Sequence, residues 1–192
     1  MTVALETMTT VLASTDQLPV LVDALAQRHA QGLDTFDEWC DGVYRVVTGP
    51  TPQHGEIVID LGAFLKQLAR PPGLRVAAPL NIGVDKQDAR VPDIGVFRPD
   101  TPYTSPAFLT TAELVVEILS PGEEPGAKLD FYARWQVAEY LEVDPAGGTA
   151  RLLRRDGDQW QPTDTSAVLG FTVEPQALVA GDRRYDLVPL ID

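Results

Sequence analysis

The sequence has one cysteine, Cys40, among 192 residues. An internal disulfide and a cysteine-based zinc site are therefore excluded. It also has no run of 18 apolar residues, which argues against a membrane-spanning helix. The N-terminal stretch before Leu18 contains two acids and no basic residue, so it lacks the charged start of a secretory signal peptide. These absences predict a chain that works in the reducing cytoplasm.

Basic residues are scarce as well, since 15 Lys and Arg stand against 28 Asp and Glu, a formal net charge of −13. Long-range repulsion slows the approach of a polyanion to such a protein, so the bulk charge favours a cationic partner or simple solubility. Local basic groups could still contact DNA, although ordinary solvation explains each group equally well. These groups are Arg151 with Arg154 and Arg155, Lys66 with Arg70 and Arg75, and Arg183 with Arg184.

The apolar residues, 44% of the chain, are enough for one domain with a core. Their spacing predicts helices when it follows a helical period and strands when it is continuous or alternating. The predicted helices span residues 18–29, 52–70 and 127–135, with one further helical turn at 35–39. The predicted strands span residues 43–47, 80–84, 91–97, 113–119 and 138–143, with a turn at 85–90, a loop at 99–111 and antiparallel edge structure beyond 150. This order predicts a mixed α/β fold, with helices packed on a central sheet.

Two acids interrupt otherwise apolar strands. Glu117 lies near the end of the most aliphatic predicted strand, where burying a carboxylate is costly unless it is paired or binds a metal. Asp93 follows Pro92, which cannot donate a hydrogen bond to a sheet and therefore marks a strand start or a bulge. A structural ion pair for Glu117 and a turn cap for Asp93 are the simpler interpretations. The functional interpretation depends on the two acids meeting.

Two basic side chains complete the candidate set. Lys128 falls in the first turn of a predicted helix, where a cation opposes the helix dipole, so helix stability does not explain it. A solvated surface lysine is the ordinary alternative. His54 precedes Ile57 by three residues and lies on the apolar face of its predicted helix. A core histidine and a histidine beside a metal both remain open interpretations.

These residue types suit phosphodiester hydrolysis, which needs a water nucleophile and stabilisation of charge on the phosphoryl oxygens. Mg²⁺ or Mn²⁺ supplies both when one or two carboxylates and several waters hold it. Asp93 and Glu117 are the candidate metal ligands, and the backbone carbonyl of Ile118 could add a third. Lys128 would orient the water or offset developing charge. The predicted catalytic residues are Asp93, Glu117, Lys128 and His54.

The chain lacks phosphate-binding glycine loops and the motifs of serine and zinc hydrolases.

The same residues resemble a known family. Asp93 after a proline, Glu117-Ile-Leu-Ser-Pro, Lys128, Tyr132 and the segment 139–145 are similar to the Uma-two family, restriction-endonuclease-like proteins of the PD-(D/E)XK nuclease superfamily. The resemblance covers about residues 33–160. It implies a restriction-endonuclease-like domain at 33–192 after an N-terminal helical extension at 1–32. It also implies a Mg²⁺-dependent endonuclease that acts on DNA, with its lysine supplied by the helix rather than by position 119.

Two positions depart from the family pattern. Val43 stands where many members have glutamate, and Gly-Glu-Glu-Pro-Gly at 122–126 replaces a loop that usually contains a further Ser and an Asp. Three hypotheses are therefore carried forward: a DNA endonuclease, a catalytically degenerate module that binds a partner, and a metal-dependent phosphoesterase for a small substrate. Cutting both strands of duplex DNA would favour a homodimer.

Overall fold

The structure is a computed structural model that describes residues 10–13, 19–34, 37–40, 43–46, 50–84, 88–105, 107–120 and 123–187. Its helices are α1 (Pro19–Ala30), α2 (Pro52–Ala69) and α3 (Leu129–Arg134). Its strands, in chain order, are β1 (Thr10–Ala13), β2 (Glu38–Cys40), β3 (Val43–Val46), β4 (Arg75–Ala77), β5 (Ile82–Gly83), β6 (Ala89–Arg90), β7 (Ile94–Phe97), β8 (Tyr103–Ser105), β9 (Phe108–Leu109), β10 (Leu114–Ile118), β11 (Glu139–Asp144), β12 (Thr149–Asp156), β13 (Gln159–Pro162), β14 (Thr172–Glu174), β15 (Ala177–Ala180) and β16 (Arg183–Asp186). None of the described helices is long and apolar enough to cross a membrane.

A six-stranded mixed sheet forms the centre, in the order β13-β12-β11-β10-β7-β4. Strand β10 runs parallel to β11 and antiparallel to β7, and every residue of β10 is buried. The continuous aliphatic character of this strand follows from its position, because both of its faces are covered. The predicted fold class, a mixed α/β fold with helices packed on a central sheet, is confirmed.

Helices α2 and α3 cover opposite faces of this sheet. Alternate residues of β10 divide between two clusters: Val116 packs with Leu61 and Leu65 of α2, whereas Val115 packs with Phe131 of α3. Successive side chains of a strand point to opposite faces, so residue 117 must share the α3 face with Val115. The sheet therefore directs Glu117 towards α3.

Helix α2 begins as the sequence predicts. The Thr51 hydroxyl accepts a hydrogen bond from the His54 N–H at 3.2 Å, and Pro52 occupies the first helical position. Leu61, Phe64, Leu65 and Leu68 form its buried face. The helix ends at Ala69, before Pro71 and Pro72, which have no N–H to continue it.

A second sheet of seven short strands, in the order β1-β3-β2-β6-β5-β9-β8, was not predicted. It replaces parts of three expected elements. Glu38–Cys40 is a strand rather than the end of a helical turn, Ala89–Arg90 is a strand rather than a turn, and the expected loop at 99–111 contains β8 and β9. The four strands in these segments have only two or three residues, too few to reveal a period, so pairing with neighbours decides their conformation. Strands β3 and β5 of the same sheet fall within strands that the sequence predicted. Residues 35 and 36 lie outside the described ranges.

The two ends of the chain also differ in detail from the prediction. Thr10–Ala13 pairs with β3 in the second sheet, so the segment before residue 33 contains a strand as well as α1. The division of the chain at residue 32 stays a prediction. Near the C-terminus, β14, β15 and β16 form a separate three-stranded antiparallel sheet instead of edge strands on the central one. Phe171, Leu178 and Leu187 attach this sheet to the cluster around α2.

Candidate active site

Asp93 lies at a bend just before β7, where the pairing between β7 and β10 stops. The last pair in this ladder is Ile94 with Val116. Beyond it, Asp93 Oδ2 accepts a hydrogen bond from the Ile118 N–H at 2.7 Å. The carboxylate thus takes the place of a backbone carbonyl in pairing with β10, and it does not cap a turn of its own, which was the simpler interpretation. The Ile118 carbonyl, the predicted third metal ligand, belongs to the same residue as this donor.

His54 brings α2 into contact with Asp93. Its Nε2 lies 2.8 Å from Asp93 Oδ1, and the side chains are 17% and 23% exposed. The hydrogen bond with Asp93 raises the pKa of His54. The capped first turn of α2 fixes the direction of the ring, so both oxygens of Asp93 are held by the chain.

Glu117 is buried on the α3 face of β10, with its side chain only 5% exposed. Its Oε2 accepts a hydrogen bond from Lys128 Nζ at 2.8 Å, and its Oε1 accepts one from the Tyr132 hydroxyl. Burial raises the pKa of Glu117 to about 8; the Lys128 charge opposes this shift, and the charges of Asp93 and Glu38 add to it.

Lys128 occupies the N-cap position of α3, because the helix begins at Leu129 and not at residue 127 as predicted. Its ammonium contacts three carboxylates: Glu117 at 2.8 Å, Glu38 at 3.3 Å and Glu123 at 4.0 Å. Burial alone lowers the pKa of this amine, but the three carboxylates outweigh burial and raise it. Lys128 is therefore a buried, charged amine and not the solvated surface lysine that was the alternative.

Glu38 is a site residue that sequence analysis missed. Its Oε1 accepts from the Val91 N–H at 3.1 Å and lies near Lys128, and its Oε2 pairs with Arg90 at 2.9 Å. Burial opposes ionisation of Glu38, but Lys128 and Arg90 overcome it and lower the pKa. No local pattern indicated Glu38, because β2 has only three residues and strand pairing alone brings Glu38 to Arg90.

Tyr132 was part of the family pattern, but no role was predicted for it. It is fully buried, four residues after Lys128, and both side chains reach Glu117. Residues four apart lie on one face of a helix, so this spacing was the signal that could have identified Tyr132. Burial, followed by the Glu117 charge, raises the pKa of its phenol, which therefore stays a donor.

The structure thus brings together all four predicted catalytic residues, Asp93, Glu117, Lys128 and His54. The cluster and its immediate neighbours contain four carboxylates and two permanent cations: Glu38, Asp93, Glu117 and Glu123, with Lys128 and Arg90. The departures from the family pattern are only partly visible. Val43 is the first residue of β3, but its side chain lies outside the described part of the structure. Residues 121–122, which include the start of the altered loop, also lie outside the described ranges.

Comparisons with known proteins agree with the fold and identify a family. The sequence matches the family model Uma2, described as "Putative restriction endonuclease", over residues 27–181. The fold is similar to the crystal structure of "a putative nuclease belonging to DUF820" from Anabaena variabilis, with a TM-score of 0.57 and 20% identity over 79% of this chain and 87% of that one. A comparison with curated proteins gave no match. The family resemblance is confirmed, and this chain belongs to the Uma2 family.

Proposed function

We propose that this protein is a divalent-metal-dependent endonuclease that hydrolyses phosphodiester bonds in DNA. The observation that carries the proposal is the meeting of Asp93, Glu117 and Lys128 in one cluster, although they come from a bend, a strand and a helix start. Membership of a family described as restriction endonucleases supports the same reaction class.

The donor set fits Mg²⁺ or Mn²⁺ as the metal. Carboxylate oxygens are the preferred ligands of such hard cations. Each oxygen of Asp93 and Glu117 accepts one hydrogen bond from the chain, and a carboxylate oxygen has two acceptor sites, so each keeps one for an ion. When all four carboxylates are ionised they outnumber the permanent cations Lys128 and Arg90, so a divalent ion would favour the ionised form of Glu117, whose pKa is raised to about 8 without one. Asp93, Glu117 and the Ile118 carbonyl would hold it, with waters completing the shell.

When bound, such an ion supplies a nucleophilic water at neutral pH and neutralises charge on the phosphoryl oxygens. The residues of the chain have distinct tasks around it. Lys128 donates to the attacking water or to a phosphoryl oxygen, as a compact charge whose position Glu38 and Glu117 fix. Tyr132 and His54 orient the carboxylates of Glu117 and Asp93, each by one hydrogen bond.

The proposal is tested by separating metal binding from turnover. We expect Asp93→Ala and Glu117→Ala to weaken Mn²⁺ binding by at least about tenfold in calorimetry, because each removes a ligand. Lys128→Ala should retain the metal and slow plasmid cleavage by about 10²–10³-fold, since it removes one group that stabilises developing charge. Glu113→Gln is the control, because Glu113 pairs with Arg98 at the start of the same strand. Metal-supported cleavage that is unchanged in Asp93→Ala would disprove the proposal.

One observation favours a second candidate, a nuclease-fold module without catalytic activity. Within the described ranges, no three His, Cys, Asp or Glu side chains are grouped so that they could hold a metal ion. Lys128 would then act as an internal counterion for Glu117. Calorimetry at millimolar Mg²⁺ and Mn²⁺ decides between the two, because absence of binding supports the module. Comparing a small phosphodiester with plasmid DNA tests the third hypothesis, a phosphoesterase for small substrates.

A further inference from the structure

Arg151 lies on the same face of the central sheet as Glu117. The register pairs Glu117 with Glu142 on β11, and Glu142 with Arg151 on β12. Directly paired residues project to the same face, and neighbouring strands are about 4.8 Å apart. The backbone of Arg151 is therefore about 10 Å from that of Glu117, two strand spacings away.

Glu142 connects Arg151 to the turn that carries Lys128. Its buried carboxylate accepts from the Gly126 N–H at 2.7 Å and from the Tyr140 hydroxyl at 3.0 Å, and it pairs with Arg151 at 2.9 Å. A Cβ added to Gly126 would come within 3.3 Å of the guanidinium. The guanidinium of Arg151 therefore packs against the turn that leads directly to Lys128.

The neighbouring arginines are engaged elsewhere. Arg154 points to the opposite face, where it pairs with Glu139 and donates to the Thr165 carbonyl. Arg155 shares the face of Arg151 but lies at the far end of β12, where it donates to backbone carbonyls. Of the three arginines in the basic stretch of β12, Arg151 alone lies beside the turn of Lys128.

The side chain of Arg151 is partly open to solvent. It is 46% exposed and lines a shallow depression together with Thr149 and Pro125. Two carboxylates also line this depression: Glu142 pairs with Arg151, and Asp144 Oδ1 accepts a hydrogen bond from the Ala146 N–H at 3.0 Å. Arginine presents five N–H donors in a flat fork that matches the oxygens of a phosphate, and the contact of Arg151 with Glu142 is made through Nη2.

We propose that Arg151 binds a second phosphate of the DNA strand, within about three nucleotides of the scissile one at an axial rise of about 3.4 Å each. This proposal rests on the nuclease function and adds a substrate class to it. The substrate is a nucleic acid strand, which binds through more than one phosphate. Glu142 is the positioning residue, because it holds both the guanidinium and the Lys128 turn.

The test compares the wild type with variants in binding a single-stranded deoxyhexanucleotide and a deoxydinucleotide, with Ca²⁺ in place of Mg²⁺ to suppress turnover. The dinucleotide has only the one phosphodiester that the cluster itself would take. We expect Arg151→Ala to weaken hexanucleotide binding about tenfold and to reduce its salt dependence by about one phosphate contact. The affinity for the dinucleotide should fall much less, so the ratio of hexanucleotide affinity to dinucleotide affinity decreases in this variant.

Two further variants make the result specific. Arg154→Ala is the matched control, since it removes a half-exposed arginine of the same strand that also pairs with a buried glutamate, and it should keep wild-type affinity and salt dependence. Arg151→Ala leaves Glu142 as a buried charge, so a double variant that adds Glu142→Gln is measured as well. It should show the same selective loss. Equal losses for both ligands in the double variant would indicate a structural role and overturn the inference.

The outcomes also separate this inference from the nuclease proposal. If the wild type cleaves plasmid DNA but Arg151→Ala keeps full hexanucleotide affinity and salt dependence, only the phosphate contact fails. If the hexanucleotide binds through Arg151 and no DNA is ever cleaved, only the nuclease proposal fails. If the wild type binds neither oligonucleotide, the phosphate contact is overturned.

Discussion

At the scale of single residues, Glu117 has the most unusual environment. It is buried, with one cation and one phenol in contact and two further carboxylates nearby. A buried charge is tolerated when it is paired and hydrogen-bonded, but burial, together with the nearby carboxylates of Asp93 and Glu38, makes the ionised form of Glu117 costly. That cost disappears when a cation binds, so the same arrangement that destabilises the metal-free protein favours metal binding.

The raised pKa of Glu117, about 8, predicts how stability depends on pH in the presence of a chelator. The folded protein keeps a proton on Glu117 that the unfolded chain releases near pH 4.5, so stability falls as pH rises between these values. The equilibrium constant for unfolding should rise by up to about tenfold for each pH unit. Denaturant unfolding at pH 5 to 6.5 should show this fall in the wild type, and Glu117→Gln should remove it.

Between pH 5 and 6.5, the pH dependence of stability reports mainly on Glu117 and much less on its neighbours. The pKa of His54 is raised above 6.5, so its contribution is lost only at higher pH, and the pKa of Glu38 is lowered below 4.5, so its contribution changes only at lower pH. Glu113→Gln serves as the control on the same strand and should keep the wild-type slope. An equal slope in wild type and Glu117→Gln would refute the assignment of the raised pKa.

At the scale of elements, α2 shows how a local signal positions a site residue. The Thr51 hydroxyl satisfies the N–H of His54, and the ring of His54 then reaches Asp93. Thr51→Ala should therefore lower the free energy of unfolding by about 1 kcal/mol, with about 0.5–2 as the range for lost caps. Thr51→Ser, which keeps the hydroxyl, should retain stability. Equal urea midpoints for the wild type and Thr51→Ala would contradict this role.

The length of an element explains how well the sequence pattern predicts it. Helix α2 has 18 residues with a cap, a proline and a buried stripe, and the prediction of this element is confirmed. Strands such as β2 and β6 have two or three residues, and their conformation comes from pairing between Trp39 and Ala89. A conformation stabilised by a partner 50 positions away leaves no local period in the sequence.

At the scale of the whole molecule, the C-terminal sheet shares one core with the central sheet. Leu178 is fully buried and belongs to the same cluster as Leu61 of α2. Leu178→Ala should therefore destabilise the whole protein by about 2–5 kcal/mol and leave a single unfolding transition. Ile59→Ala, at a position 70% exposed, should change stability by less than about 0.5 kcal/mol. Two separate denaturant transitions in the wild type would show that the C-terminal sheet folds as an independent unit.

The sequence by itself determined the residue types of the site and the elements that carry them. Acids in apolar strands are costly enough to be noticed locally, and together with the family pattern they identified Asp93, Glu117, Lys128 and His54 as candidates. Only the tertiary structure decided that Glu38 joins Lys128, and that Glu142 holds Arg151 beside the Lys128 turn. The physical reason is that hydrophobic periodicity reports which face of an element is buried, whereas contacts such as Arg90 with Glu38, 52 positions apart, depend on which strands pair and in which register.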